Sequence, residues 1–210
     1  KLTPLPLPNN NDRVKMSLSA SNPDELWVAV TYGSNGKKIY KTIDGGLSWI
    51  NLTTPKLDNV TISDILHQLG TQGGVYLGTK RGVYYRNDLM SEWEAYSDGL
   101  PVSAETNRLK PFYRDGKIRN GCWGFGVWES NLYENSTVIP QAMVNKLESF
   151  CIRDTFYFDD YSNVNHSGAS WSWTVPDANY LTGQNTRTPK VLFKSTGLKQ
   201  IVMSLKTASG

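Results

Sequence analysis

The sequence of 210 residues is poor in cysteine and in histidine, with two residues of each. Two cysteines provide no disulfide framework, and neither Cys nor His recurs at the spacing that a zinc site needs. We expect Cys122 and Cys151 to be two buried thiols, although a bridge between them stays open. The sequence also lacks an apolar run long enough to span a membrane.

Clustered charge is missing as well, because the Lys and Arg residues are scattered along a chain whose net charge is +3. This scatter argues against nucleic acid as a partner. Aromatic residues are abundant, with 7 Trp and 11 Tyr, and such side chains favour β-strands. The composition therefore predicts an all-β protein.

An internal repeat of 44 residues organises the first two thirds of the chain. Its register is given by the segments KIYKTID (38–44), GVYYRND (82–88) and GVWESNL (126–132). Asp44 and Asp88 share this spacing, and so do Trp49 and Trp93. Propeller blades, each a four-stranded sheet, have periods of roughly 40–50 residues. The repeat therefore predicts blades of a β-propeller.

Short runs rich in Val, Ile, Tyr and Trp, bounded by Gly, Asn, Asp or Pro, mark the strands. Two complete repeats predict strands at 13–20, 25–32, 37–43 and 48–53, then at 60–68, 73–79, 82–87 and 92–97. A third repeat offers strands only at 106–113, 116–122 and 125–130. Beyond residue 140 the period ends, and strands are predicted at 154–162, 170–176, 189–195 and 198–207.

The segment TIDGGLSW resembles the Asp-box of sialidase-like and sortilin-like propellers, which reads Ser/Thr-x-Asp-x-Gly-x-Ser/Thr-Trp. The fixed positions are matched by Thr42, Asp44, Gly46, Ser48 and Trp49. The second copy, RNDLMSEW, keeps Asp88 and Trp93 but lacks the glycine and the hydroxyl residue. The segment KIRNGCWGFGVWE also resembles the last blade of bacterial Asp-box propellers. The resemblance implies a structural turn on the rim of the propeller.

Residues 148–210 resemble a PKD domain, an immunoglobulin-like sandwich of secreted bacterial proteins. The resemblance lies in SFCIRDTFYFDDYS, ASWSWTVP and PKVLFKSTGLKQIVMSLKTASG. We therefore expect the final blades of a propeller in residues 1–139, a linker in 140–147 and a PKD-type sandwich in 148–210. Further blades upstream and one more strand downstream are expected outside this sequence.

Catalysis is not expected of these residues. Asp-Gly between two strands is a strong hairpin signal, so Asp44 is predicted to shape a turn rather than to act as a catalytic acid. A sialidase needs an arginine cluster and a Tyr–Glu nucleophile pair. Residues of those types are present, but their spacing selects none of them: Arg81, Arg108, Arg114, Arg119, Tyr84 and Glu129.

Two further groups of residues are weak candidates for ligand binding. Trp123, Phe125 and Trp128 alternate with glycines and could stack on sugar rings, although filling a gap between blades is the favoured interpretation. Asp159 and Asp160 are weak calcium candidates, because two carboxylates fall short of the six or more oxygens that Ca²⁺ takes. No cofactor is expected.

The function expected from these modules is non-catalytic: adhesion, or binding of a glycan or a surface protein, with the PKD-type domain as a spacer. Proteins that pair such modules often reach the surface of bacteria through type IX secretion, so an extracellular or cell-surface location is expected. The first alternative is a sialidase- or xyloglucanase-like glycosidase whose active centre lies on blades outside this sequence. The second alternative is a purely structural stalk.

Overall fold

The structure, a computed structural model, describes residues 13–32, 36–151 and 153–208. The chain divides into two compact units, with the boundary along the sequence between Thr137 and Val138. Its regular structure is almost entirely antiparallel β-sheet, with only two short 3-10 turns at Pro55–Leu57 and Tyr113–Asp115 among the described residues. The all-β class is therefore confirmed.

The first unit contains three sheets in which each strand pairs with its neighbour along the chain. Sheet 1 has the strands β1 (Arg13–Leu18), β2 (Leu26–Tyr32), β3 (Gly36–Thr42) and β4 (Ile50–Asn51). Sheet 2 has β5 (Ile62–His67), β6 (Val75–Thr79), β7 (Gly82–Arg86) and β8 (Glu94–Tyr96). Sheet 3 has β9 (Thr106–Phe112), β10 (Lys117–Cys122) and β11 (Gly126–Asn131). The two complete repeats thus fold as four-stranded sheets, as the period predicts.

Alternation of side chains along the strands builds two cores between these sheets. Trp27 and Ala29 of sheet 1 point to one face and pack with Ile65 and Leu77 of sheet 2. The opposite face of sheet 2 carries Tyr76, Val83 and Tyr85, which pack with Leu109 and Ile118 of sheet 3 in a second core. Burial of this apolar area, at about 25 cal/mol per Å², is the main stabilising contribution.

The second unit is a small sandwich of two sheets. Its strands are β12 (Ala142–Val144), β13 (Thr155–Asp160), β14 (Ser170–Thr174), β15 (Ala178–Tyr180), β16 (Lys190–Phe193) and β17 (Val202–Lys206). One sheet has the order β12–β13–β16–β15, and the other pairs β14 with β17. Phe158, Trp173 and Val191 are buried in the core between them.

Several details differ from the sequence-based expectations. The segment 140–147, predicted as a linker, contains β12, which pairs with β13, and β15 was not predicted. Both strands have only three residues, too few to show an alternating pattern. Both cysteines are free, but only Cys122 is buried, so the expectation of a buried thiol is wrong for Cys151. The predicted blade residues 1–12 lie outside the described residues.

Candidate functional site

The turn between β3 and β4 is closed by hydrogen bonds among its own side chains. The Asp44 carboxylate accepts the backbone N–H of Ser48 at 2.9 Å and the Ser48 hydroxyl at 2.5 Å. The Thr42 hydroxyl donates to Asp44 Oδ1 at 2.8 Å and accepts the N–H of Gly46 at 2.9 Å. Gly45 and Gly46 have φ values of +66° and +89°, which side chains other than glycine rarely adopt.

These hydrogen bonds determine what the Asp44 carboxylate can do chemically. Donation by Ser48, through its hydroxyl and its N–H, and then by Thr42 lowers the pKa of Asp44 to about 2. A carboxyl group with so low a pKa holds no proton near neutral pH, so it cannot serve there as a general acid. Its oxygens face partners within the turn, and the geometry is that of an Asx-type turn.

The second copy of this turn, after β7, is built differently. Asn87, and not Asp88, caps it by accepting the N–H of Leu89 at 3.0 Å. Asp88 instead receives two hydrogen bonds, at 2.7 and 2.9 Å, from the Lys41 ammonium group of sheet 1. Trp93 is fully buried, and its indole N–H donates to the Leu52 carbonyl at 2.8 Å. The shared spacing therefore positions different contacts in the two repeats.

An ionic and aromatic cluster surrounds the buried side chain of Lys41 between sheets 1 and 2. Lys41 pairs with Glu25 at 3.0 Å as well as with Asp88, and its ammonium group lies 5.0 Å from the Trp27 ring centroid. The His67 ring stacks on Trp27 with centroids 4.2 Å apart. Burial lowers the pKa of His67 to about 4, against the opposing effect of Glu25. The imidazole is therefore neutral near pH 7.

The segment that follows β11 is fixed to sheet 2 by a polar network that the sequence did not predict. Glu134 accepts the Tyr85 hydroxyl at 2.5 Å and the Asn87 amide at 3.1 Å. The Gln68 amide nitrogen donates to the Glu134 carbonyl at 2.6 Å, and its oxygen accepts the Tyr76 hydroxyl at 2.7 Å. We call residues 132–137 the strap. A lone Glu in a segment rich in Asn and Ser gives no periodic signal that could have revealed it.

Close approach at the strap depends on Gly74. A Cβ atom at this position would lie 2.2 Å from the Tyr85 hydroxyl and 3.0 Å from Glu134 Oε1. Burial, the hydrogen bond to Glu134 and its charge all raise the pKa of Tyr85. The Tyr85–Glu134 pair has the residue types of a glycosidase nucleophile pair, but Tyr85 is fully buried and a substrate cannot reach it.

The six residues of sialidase type named from the sequence are divided between sheets 2 and 3. Tyr84 packs against the core between sheets 1 and 2, while Arg108, Arg119 and Glu129 lie on sheet 3. Arg119 pairs with Glu129 at 3.2 Å and with Asp115 at 3.3 Å. Arg108, Arg114 and Arg119 lie on sheet 3 or on its β9–β10 turn, whereas Tyr84 packs against a different core. Tyr84 and Glu129 are therefore not paired, and the nucleophile pair of a sialidase is not assembled from these residues.

The hairpin that joins β10 and β11 presents aromatic side chains to solvent. Trp123 is 72 % exposed, Phe125 is 63 % exposed and Trp128 is 43 % exposed. The Trp128 indole N–H donates to the Phe125 carbonyl at 2.9 Å, and Phe125 N–H donates to the Cys122 carbonyl at 3.3 Å. Within the described residues these rings fill no gap between sheets. They form an exposed group on a hairpin that hydrogen bonds hold in shape.

In the second unit, Asp159 and Asp160 turn their carboxylates to different partners. Asp159 accepts a hydrogen bond from Arg187 at 2.5 Å. Asp160 is buried and accepts the Trp171 indole N–H at 2.7 Å and the hydroxyl of Ser162. Among the described residues, no group of three or more His, Cys, Asp or Glu side chains is placed to hold a metal ion.

The same unit has an open groove with a volume of about 620 Å³. Its walls include Phe156, Phe193 and Ile201, and the loops beside it expose Phe150 and Leu198 almost completely. The groove is lined mainly by apolar side chains, so a ligand there would be held by apolar contact.

None of the helices in the described part of the chain has the length and apolar character that a membrane crossing requires. No protein-family model matches the chain, and no curated protein does.

Three solved structures are similar to it at low identity. A GH74 enzyme of Niastella koreensis shares 13 % identity with a TM-score of 0.44, over 70 % of this chain and 25 % of that one. The extracellular domain of a one-component system from B. thetaiotaomicron shares 12 % identity with a TM-score of 0.37, over 88 % of this chain and 28 % of that one. YCF48 bound to a D1 peptide shares 15 % identity with a TM-score of 0.36, over 92 % of this chain and 82 % of that one. The chain thus spans about a quarter of the length of the first two.

Proposed function

We propose that this chain is a non-catalytic binding module that holds carbohydrate rings on the β10–β11 hairpin. The observation that carries the proposal is the exposure of Trp123 and Phe125, at 72 % and 63 %, on a hairpin fixed by hydrogen bonds. Flat, rigid aromatic faces present large contact area with little loss of conformational freedom on binding. Sugar rings expose C–H faces that stack on such surfaces.

The acidic groups support a binding role rather than a catalytic one. Asp44 faces its own turn, Asp88 faces Lys41, and Glu134 faces Tyr85 and Asn87. Most glycosidases use two carboxyl groups that flank the scissile bond, about 5–10 Å apart. We place the module outside the cell or on its surface, because of the resemblance of its two parts to Asp-box propellers and PKD domains. The sandwich of the second unit would then serve as a spacer.

A glycan-array screen of the full chain tests this proposal. We expect retention of one or more glycans, with the Trp123→Ala, Phe125→Ala double variant weakened by about tenfold or more, equivalent to about 1.4 kcal/mol. Leu89→Ala is the matched control, because Leu89 is an equally exposed apolar residue in the turn after β7. Turnover of a sialoside or of xyloglucan by this chain, or retention that is indifferent to the hairpin variant, would overturn the proposal.

A further inference from the structure

Sheet 3 has one face packed on sheet 2 and one face that points away from it. Leu109 and Ile118 identify the packed face, since both are buried in the core shared with sheet 2. Residues directly opposite on antiparallel strands share a face, so the strand register identifies the other one. We call it the outer face. It carries Arg108, Lys110, Phe112, Lys117, Arg119, Gly121, Val127, Glu129 and Asn131.

The outer face gathers cations that are dispersed along the sequence. Four Lys or Arg side chains stand on its strands, and Arg114 joins them from the turn between β9 and β10. Among the described residues, two carboxylates on this face or its turn pair with these five cations, and a third, on Asp64 of sheet 2, lies near Arg108. Asp115 pairs with Arg114 at 3.0 Å and with Arg119 at 3.3 Å, and Glu129 pairs with Arg119. Both carboxylates thus pair with Arg119, and Asp115 also pairs with Arg114.

The remaining cations of the outer face have weak partners or neutral ones. The Arg108 side chain is 61 % exposed, with its nearest carboxylate, on Asp64, at 3.8 Å. The Lys117 ammonium group donates at 2.7 Å to the neutral Asn131 amide. Among the described residues Lys110 has no ion-pair partner. Positive charge therefore accumulates along β9, where the register places Arg108 and Lys110 on the same face.

Aromatic and open surface adjoins these charges. The Arg119 guanidinium lies 3.7 Å from the Phe112 ring centroid, which fixes its plane. Gly121, directly opposite Arg108 and Val127, leaves the surface between them without a side chain. From Gly121 the strand runs on to the hairpin that exposes Trp123 and Phe125. The cationic face thus adjoins, along the chain, the hairpin that carries the exposed rings.

From this arrangement we infer that the glycan held by sheet 3 is an acidic polysaccharide, carboxylated or sulfated. The inference rests on the proposed function and names its ligand class. Alternate side chains of a strand are about 6.6 Å apart, so Arg108 and Lys110 suit a polymer with one charge on each sugar ring. Double-stranded DNA carries one charge per about 1.7 Å and calls for a denser basic surface than this one. Guanidinium groups match carboxylate and sulfate oxygens in geometry.

Two matched pairs of polymers provide the probes. Polygalacturonate is compared with its fully methyl-esterified form, and dextran sulfate is compared with dextran. For the full chain we expect at least one acidic polymer to bind about tenfold or more tightly than its neutral counterpart, and this preference to shrink as salt is added. The two acidic polymers distinguish a carboxylated ligand from a sulfated one.

Two double variants, each of which removes two positive charges, test which cations bind the acidic polymer. Arg108→Gln with Lys110→Gln is expected to weaken acidic binding about tenfold, to leave neutral binding unchanged and to reduce the salt dependence. The control, Lys56→Gln with Lys80→Gln, removes two exposed cations elsewhere in the first unit and is expected to change nothing. All four positions are solvent-exposed, and equal thermal midpoints verify that the variants fold.

The outcomes separate this inference from the proposed function. If the full chain binds acidic and neutral polymers equally, and the hairpin variant abolishes this binding, the inference of an acidic ligand is overturned. The proposed role of the hairpin in stacking on sugar rings is then kept. If the outer-face variant weakens binding of the acidic polymers and the hairpin variant does not, the result supports binding by the cations of the outer face. The same result overturns the proposed role of the hairpin. Tighter binding of single-stranded oligo(dT) than of either acidic polymer overturns the inference in favour of a nucleic acid.

Discussion

In each of the first two repeats a tryptophan follows an aspartate by five positions, but the surroundings of these two residues differ between the repeats. Asp44 accepts hydrogen bonds within its own turn, and Trp49 is half-buried against residues of its own sheet. Asp88 binds Lys41 of the preceding sheet, and Trp93 is fully buried between sheets 1 and 2. The backbone repeats, whereas the role of each side chain depends on which sheet lies against it. A shared motif therefore does not imply a shared role.

The largest difference in stability between the two repeats is expected when each tryptophan is truncated to alanine. Trp93→Ala is expected to lower the free energy of unfolding by about 3–5 kcal/mol, because a fully buried ring leaves a cavity. Trp49→Ala should lower it by about 1–2 kcal/mol, because the ring is only half-buried. Urea denaturation measures both. Equal losses would show that the two copies are physically equivalent.

Lowering the pH tests the burial of His67, whose ring stacks on Trp27. The folded pKa of His67, about 4, lies below the ordinary 6.5, so the unfolded chain binds the proton more readily. Stability contributed by neutral His67 is complete above pH 6.5 and is lost as the pH falls towards 4.

His67→Phe keeps a ring against Trp27 and cannot take up a proton. Between pH 7 and pH 4 the wild-type protein should lose about 3 kcal/mol more than this variant. Urea denaturation across that range is the measurement. Parallel pH profiles of the two proteins would contradict the assigned burial of His67.

A smaller loss of stability is expected when the ion pair between Lys41 and Asp88 is broken. Asp88→Ala leaves the buried Lys41 ammonium group with Glu25 as its remaining acidic partner among the described residues. We expect a loss of about 1–3 kcal/mol in the free energy of unfolding, because a buried donor loses an acceptor. Asp98→Ala, at an exposed position in the same repeat, should change stability by less than about 0.5 kcal/mol. Similar behaviour of both variants would show that the Lys41–Asp88 contact contributes nothing.

The smallest effect belongs to Asp44, whose folded pKa of about 2 lies below the ordinary value for Asp. A lowered pKa means that its hydrogen bonds stabilise the fold above about pH 4 and are lost as the pH falls through 2. Asp44→Asn should therefore be less stable than wild type at pH 5, and the difference should narrow towards pH 2. Thermal midpoints across that range provide the readout. A gap that is constant with pH would contradict the turn geometry.

Much of the fold could be predicted because the 44-residue period and local alternation coincide. The strand that the repeat predicts at 60–68 is confirmed by β5. Short strands escaped prediction because three residues, as in β12 and β15, carry no periodic signal. The division into domains and the roles of the turn residues stay predictions.

The candidate site was harder to predict than the fold. Four cations of the outer face lie on β9 and β10, two strands that a turn separates: Arg108, Lys110, Lys117 and Arg119. Within each strand the residues that alternate with these cations belong to the other face of the sheet. In sequence they look scattered, whereas the sheet register brings them together. The strap was missed for a related reason, since Glu134 is defined by Tyr85 and Asn87, about fifty residues upstream.

The strap also determines how the first unit responds to mechanical force. The chain leaves this unit through residues 132–137, so tension from the second unit enters at Thr137, whose N–H is bonded to the Gly70 carbonyl at 2.6 Å. From there the load falls on the contacts of Ser136 and Glu134 with Gln68, Tyr85 and Asn87. Several of these bonds must break before the pull reaches β11. The first contacts to break under tension are therefore hydrogen bonds of the strap rather than the backbone hydrogen bonds of β11.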